Sequence, residues 1–226
     1  MLRAIVFDFD GVIADSEPLH FRAFRDVLVD AGVDLAERDY YTRYLGYDDV
    51  GAFHAIGTDV GRHWSAADLA GLTSRKAARL EALERDVSVL FPGAADAIRR
   101  AAAVVPLAIA SGALGAEIRR VLDGADLTRH FTAIVSAEDT PASKPAPDPY
   151  RRAVALLSTA AGDPALSAAD CVAIEDSRWG IASARAAGLR TVGVTSSYGA
   201  EELSEAEVII GSLADLDLAS LQRLLF

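Results

Sequence analysis

Short apolar segments that end in polar residues recur along the 226-residue chain, and stretches with apolar residues at helical spacing separate them. This alternation limits the fold more than any other feature, because strands separated by helices must run parallel in one sheet. Residues 2–9 read as the first strand. The next strands are read at 106–110, 131–136, 171–174 and 190–194, with a short last one at 208–210. Helices are read at 94–103, 115–122, 149–158 and 179–187, and a final one begins at Leu213.

One block breaks the alternation. From Ser16 to about residue 86 there is no strand run, and apolar residues recur as Phe21, Phe24 and Leu28, then Leu69, Leu72, Leu80 and Leu83. The expected fold class is therefore an α/β doubly wound parallel sheet with an inserted helical cap. Residues 1–14 and 87–226 would form the core, and residues 15–86 the cap.

Composition narrows the classes of partner. The formal charge is −11 and no Lys/Arg run exceeds two, so neither nucleic acid nor an anionic membrane is expected to bind. The most apolar stretch, residues 101–110, is broken by Pro106 and too short to cross a bilayer. Asp8 and Asp10 interrupt any apolar leader, and the single cysteine, Cys171, has no partner for an internal disulfide. A cytoplasmic protein acting as a monomer is expected. Arginine is used 20 times but lysine only twice, at Lys76 and Lys144, which suggests that these two mark places where a compact ammonium is needed.

In an open parallel sheet, ligands bind beyond the carboxyl ends of the strands. The expected first strand ends in "FDFDG", with Asp8 and Asp10 two residues apart and on one side of the strand. The second ends in Ser111-Gly112, the loop after the third carries Lys144, and the fourth ends in Glu175-Asp176. A calcium loop starting at Asp8 is excluded, since Val12, Ile13 and Leu19 stand where its ligands and glycine belong. Several carboxylates at one rim suit Mg²⁺, which binds one or two of them together with waters and a phosphate. A hydroxyl and the backbone N–H groups of Gly112 and Ala113 at a helix start would suit an anion. Taken singly, "DxDG" also reads as a solvated loop, "SG" as an ordinary cap and Lys144 as a surface residue. No GxxxxGK[ST] loop is present, which excludes an ATP-using kinase of that type.

The stretches "FDFDGVIADSEPLH", "IASGA", "SKPAPDPY" and "AIEDSRWGIASARAAG" occur in the order found in the haloacid dehalogenase superfamily, and the chain resembles that family over nearly its whole length. It is similar above all to the subgroup with β-phosphoglucomutase, phosphoglycolate phosphatases and sugar-phosphate phosphatases. The resemblance implies roles. Asp8 would be the nucleophile that forms an aspartyl-phosphate, and Asp10 the acid and then the base. Mg²⁺ would be held by Asp8, the Asp10 carbonyl and Asp176, with Glu175 direct or through water. Ser111, Gly112 and Ala113 would grip the phosphoryl group, and Lys144 would neutralise charge. Asp10 is absent from the dehalogenases themselves, so its presence points to an oxygen leaving group.

Cap residues would set the substrate. The resemblance places His20, Gly46 of "YLGYDD" and Lys76 in substrate binding, while Asp49 stands where the mutase has a phosphate-gripping arginine. Arg75-Lys76 also reads as a solvated basic helix face. His54, His63 and His130 have no metal-ligand spacing. Trp64 and Trp179 read as packing residues, and Cys171 as a small buried strand residue. The expected activity is Mg²⁺-dependent hydrolysis of a small phosphorylated metabolite, a sugar phosphate or a phosphoglycolate-like acid. A phosphomutase is the alternative enzyme, and a non-catalytic phosphate or metal binder the alternative of another class.

Overall fold

In the computed structural model, which describes residues 1–45, 47–84 and 89–225, the chain forms two compact units. One is Met1–Asp15 with Val89–Phe226, and the other is Ser16–Ser88. The boundary expected at residues 86 and 87 lies outside the described residues.

Along the chain, β1 is Ala4–Phe7, followed by the helices of the inserted unit: α1 (Glu17–Asp30), the short α2 (Glu37–Asp39) running into a π-turn at Tyr40–Tyr44, α3 (Asp49–Asp59) and α4 (Ala66–Glu84). The α/β unit resumes with α5 (Ala94–Ala102), β2 (Leu107–Ala110), α6 (Gly115–Gly124), β3 (Phe131–Val135) and α7 (Asp148–Ala161). It ends with β4 (Cys171–Glu175), α8 (Arg178–Ala187), β5 (Arg190–Val194), β6 (Val208–Ile210) and α9 (Leu218–Leu225).

The sheet is parallel throughout, with strand order β3-β2-β1-β4-β5-β6. The doubly wound fold expected from the sequence is thus what the chain adopts, with β1, β2 and β3 shorter than expected, β4 one residue longer, and β5 and β6 with the expected bounds. The larger difference is at the C-terminus. Leu213–Asp215 forms only a single 3₁₀ turn, capped by Ser212, before α9 begins.

Side chains alternate across the sheet, so Ala4, Val6, Ala108, Ala110, Cys171 and Ala173 share one face. That face packs on Tyr150, Ala153, Val154 and Leu157 of α7 and on Ala184 of α8. Small residues on these strands let the helices approach closely. The opposite face, with Ile5, Phe7, Ile109, Val172 and Ile174, is equally buried, as expected of a parallel sheet. The two ends of β1's extension meet the returning chain side by side. Asp15 N–H donates to the Val89 carbonyl (2.6 Å), and Phe91 N–H to that of Ile13 (3.0 Å).

Within the helical unit, α1, the π-turn, α3 and α4 enclose a core of Phe21, Phe24, Tyr40, Tyr44, Phe53, Ile56 and Leu72. Asp48 caps α3, its Oδ1 accepting from Gly51 N–H at 2.7 Å. Phe53 is fully buried, with its ring 4.8 Å from Phe24 and 6.4 Å from Trp64. Among the described residues, no helix is long and apolar enough to cross a membrane. Replacing Phe53 by Ala should destabilise the protein by about 3–5 kcal/mol, read as a lower urea midpoint. A loss of less than about 1 kcal/mol would show that this core is not what holds the helices.

Candidate active site

The strand order reverses between β1 and β4, and the crevice at such a switch point is where doubly wound sheets bind ligands. Asp8 follows β1 directly, its N–H donating to the Ile174 carbonyl of β4 at 2.9 Å. That bond fixes Asp8 beside Glu175, the last residue of β4. Lys144, from the loop before α7, bridges the pair. Its Nζ lies 2.8 Å from Asp8 Oδ1 and 2.5 Å from Glu175 Oε1. Asp8 Oδ1 also accepts Phe9 N–H at 2.7 Å.

Glu175 is completely buried, and both its oxygens are committed. Oε1 accepts from Lys144 and from the Tyr150 hydroxyl at 2.7 Å. Oε2 accepts from Asp176 N–H (3.2 Å), Ser177 N–H (3.3 Å) and the Ser177 hydroxyl (3.2 Å). Ser177 Oγ in turn accepts Gly180 N–H and so caps α8, starting that helix immediately after the acids.

Asp8, Glu175 and Asp176 each offer an oxygen within 4.8 Å of the others, all three residues being buried. One lysine cannot balance three acids. Burial first, and then Glu175, raise the Asp8 pKa well above the usual range; Lys144 opposes the shift and Asp176 adds to it. Asp176 is pushed up to about 7, by burial and then by Glu175, against hydrogen bonding from the Ser197 hydroxyl and the charge of Lys144. Burial alone would pull the Lys144 ammonium down, but Asp8 and Glu175 outweigh it and push its pKa up. Buried, oxygen-only and short of positive charge, this donor set fits a hard divalent cation. Asp8 and Asp176 are the residues with oxygens to give, since those of Glu175 are already taken.

Two glycines make the packing possible. Gly11 has φ +75°, and a Cβ there would stand 1.8 Å from Asp176 Oδ2 and 2.7 Å from Ser197 Oγ. A Cβ on Gly180 would stand 1.8 Å from Glu175 Oε1, so α8 can close on the carboxylate only without a side chain there. The Ser196 hydroxyl donates to the Gly11 carbonyl and ties the loop after β5 to the turn after β1.

Ser111 is buried one strand over from Asp8, its N–H on the Val135 carbonyl at 3.0 Å. Its Oγ accepts Ala113 N–H at 3.0 Å, and Gly112 faces open space. Asp10 is half-buried and forms an isolated bridge with Ala14 in the turn after β1. Asp8, Lys144, Glu175 and Asp176 are thus brought together, with Ser111 at the neighbouring strand end.

Within the helical unit, Lys76 is 1% exposed, which corrects the reading of Arg75-Lys76 as a solvated basic face. Only Arg75 is exposed. Lys76 Nζ donates to Asp49 Oδ1 (2.7 Å), lies 2.9 Å from His20 Nδ1, and sits 5.0 Å from the centre of the Phe24 ring. Lys76 lies four residues from both Leu72 and Leu80, each buried, so its spacing already placed it on the inner face. Gly46 lies outside the described residues. Trp179 is not a packing residue either: it is 38% exposed, with the Arg178 guanidinium over its ring at 4.4 Å and Tyr198 at 6.0 Å. Trp64 and Cys171 pack as expected, and burial pushes the Cys171 thiol up to about 12, which leaves it inert.

The model of the haloacid dehalogenase-like hydrolase family matches residues 2–188. The chain belongs to that family. The hydrolase is 36% identical over 207 residues to protein CbbY of Rhodobacter capsulatus, covering 87% of each chain. It is 33% identical over 229 residues to hexitol phosphatase B of Escherichia coli K12, covering 99% of its own length and 94% of the relative's. A solved structure of a CbbY variant from Rhodobacter sphaeroides in complex with xylulose 1,5-bisphosphate superposes with a TM-score of 0.82 at 28% identity, covering 98% and 99% of the two chains.

Tyr150, Ser177, Gly180 and Ser197 are parts of the site that the sequence does not announce. The first three stand inside the quoted stretches "SKPAPDPY" and "EDSRWG", so proximity to an acid or lysine was their only signal; Ser197 had none.

Two outcomes follow for the hydrolase. Between pH 3.8 and about 7 the folded chain keeps an Asp176 proton that the unfolded chain has released. Metal-free protein should therefore lose thermal stability as pH rises through that window, and Mg²⁺ should stabilise it more at pH 7.5 than at pH 5. A melting temperature with the opposite slope and no metal effect would contradict this site. Gly180→Ala should displace Glu175 and abolish activity, and near-native turnover would show that α8 does not press on the carboxylate.

Proposed function

We propose that this hydrolase is a Mg²⁺-dependent phosphatase acting on a small sugar or polyol phosphate through an aspartyl-phosphate. The observation that carries the reading is Lys144 shared between Asp8 and Glu175 at the switch point of the sheet, beside Asp176. The relatives named CbbY and hexitol phosphatase B support the phosphorylated-sugar class.

An Asp8 carboxylate oxygen attacks phosphorus while the ester oxygen leaves with a proton from Asp10, so the phosphoryl group passes to Asp8. Asp10, now ionised, takes a proton from a water that attacks the same phosphorus. Inorganic phosphate leaves, and both aspartates return to their starting forms. Lys144 has spent two of its three N–H donors on Asp8 and Glu175, which leaves one for a phosphoryl oxygen. The Ser111 hydroxyl accepts from Ala113 and keeps its own proton to donate. Asp8, Asp176 and the Asp10 carbonyl would hold Mg²⁺, which when bound offsets the repulsion between carboxylate and phosphate.

The pairing of Asp49 with Lys76 favours hydrolysis over the mutase reading, because an acid occupies the place where the resemblance calls for a phosphate-gripping cation. Asp8→Asn should abolish Mg²⁺-dependent phosphate release from hexose and hexitol monophosphates. Asp10→Asn should slow the first step, alcohol release on transfer of the phosphoryl group to Asp8, by about 10²–10⁴ on these esters in a single-turnover assay, but the same step much less with p-nitrophenyl phosphate, whose leaving group needs no proton. Turnover that survives Asp8→Asn, or equal losses in that first step on both kinds of ester, would overturn the assignment.

A further inference from the structure

Among the described residues Tyr150 is the largest fully buried side chain, yet its hydroxyl is turned toward a carboxylate rather than a backbone group. Its hydroxyl donates to Glu175 Oε1 at 2.7 Å, the same oxygen that holds Lys144. Its ring lies under the ammonium, with Nζ 5.2 Å from the ring centre. Tyr150 therefore touches the Lys144–Glu175 pair twice, once through the hydroxyl and once through the face of the ring. Burial, followed by the charges of Glu175 and Asp8, raises its pKa well above the usual value, so it stays a donor wherever the enzyme is folded.

The strand and the loop alone do not fix this geometry. Glu175 is set at the end of β4, but Lys144 comes from an irregular stretch between β3 and α7. A lysine side chain has four rotatable bonds, and two carboxylates compete for its ammonium. Tyr150, in the first turn of α7, links the two elements at the point where they meet.

We propose that Tyr150 is a positioning residue: by holding Glu175 Oε1 and underlying the ammonium, it fixes where Lys144 stands relative to Asp8. The kinetic part of the proposal rests on the phosphatase reading; the geometric part does not. Tyr150→Phe keeps the ring and its packing and removes only the hydroxyl.

The chain has two lysines, so protein labelled with ¹⁵N at lysine Nζ gives two ammonium resonances, assigned with Lys76→Arg or Lys144→Arg. In Tyr150→Phe the Lys144 resonance should shift or broaden through faster exchange, while that of Lys76 stays in place. With a hexitol phosphate as substrate, kcat should fall about tenfold with the Mg²⁺ concentration for half-activation unchanged, the size expected for one lost hydrogen bond to a charged group. Adding Tyr150→Phe to Glu175→Gln should lower kcat no further. A Lys144 resonance that does not move, or kcat losses that multiply in the double variant, would overturn the proposal. If no phosphate ester is turned over, the phosphatase reading falls and the resonance alone still decides whether Tyr150 places the lysine.

Discussion

Three carboxylates gather where β1 and β4 end, and a single ammonium stands between two of them. Everything else in the α/β unit is arranged around that imbalance. Buried charges of one sign raise each other's pKa until some of them protonate, unless a cation is supplied. Lys144 supplies one charge from the protein. The remaining deficit is one that a divalent ion would offset, and with it the repulsion a phosphate would meet there. Without the lysine, Glu175 would be a buried charge held only by neutral donors, a costly arrangement in a protein interior.

The fold supplies the positions in a definite order. Parallel pairing of β1 with β4 sets Asp8 beside Glu175, and the next residue, Asp176, falls where Gly11 leaves room for it. Ser177, two residues past the end of the strand, starts the helix, giving its hydroxyl to Glu175 and its oxygen to Gly180. Two absent side chains, at Gly11 and Gly180, do as much for the site as the acids, because each lets a carboxylate lie against backbone.

Most of this was legible in the sequence, for a physical reason. Parallel strands place their chemistry at their carboxyl ends, so Asp8, Ser111, Glu175 and Asp176 could be read simply by finding where apolar runs stop. Lys144 was legible as one of only two lysines. What could not be read is contact made through space. Tyr150 follows Lys144 by six residues, and nothing in that spacing shows that its hydroxyl meets Glu175. Ser197 reaches Asp176 from a loop after the next strand. In the helical unit the error was of another kind: Lys76 was read by its charge rather than by its spacing, which aligns it with Leu72 and Leu80. The strong partners Asp49 and His20, distant in sequence, are what make a buried lysine tolerable there.

The hydrogen bonds from Asp15 to Val89 and from Phe91 to Ile13 close the α/β unit upon itself at the point where the chain departs and returns. The sheet thus asks only one thing of residues 16–88: that their two ends come back to the same place. Any folded segment with neighbouring termini would satisfy it, without altering the register of a single strand. The reaction chemistry and the segment that interrupts it can therefore diverge at different rates. A lineage built on this plan is free to change that segment while the carboxylates and the lysine stay where they are.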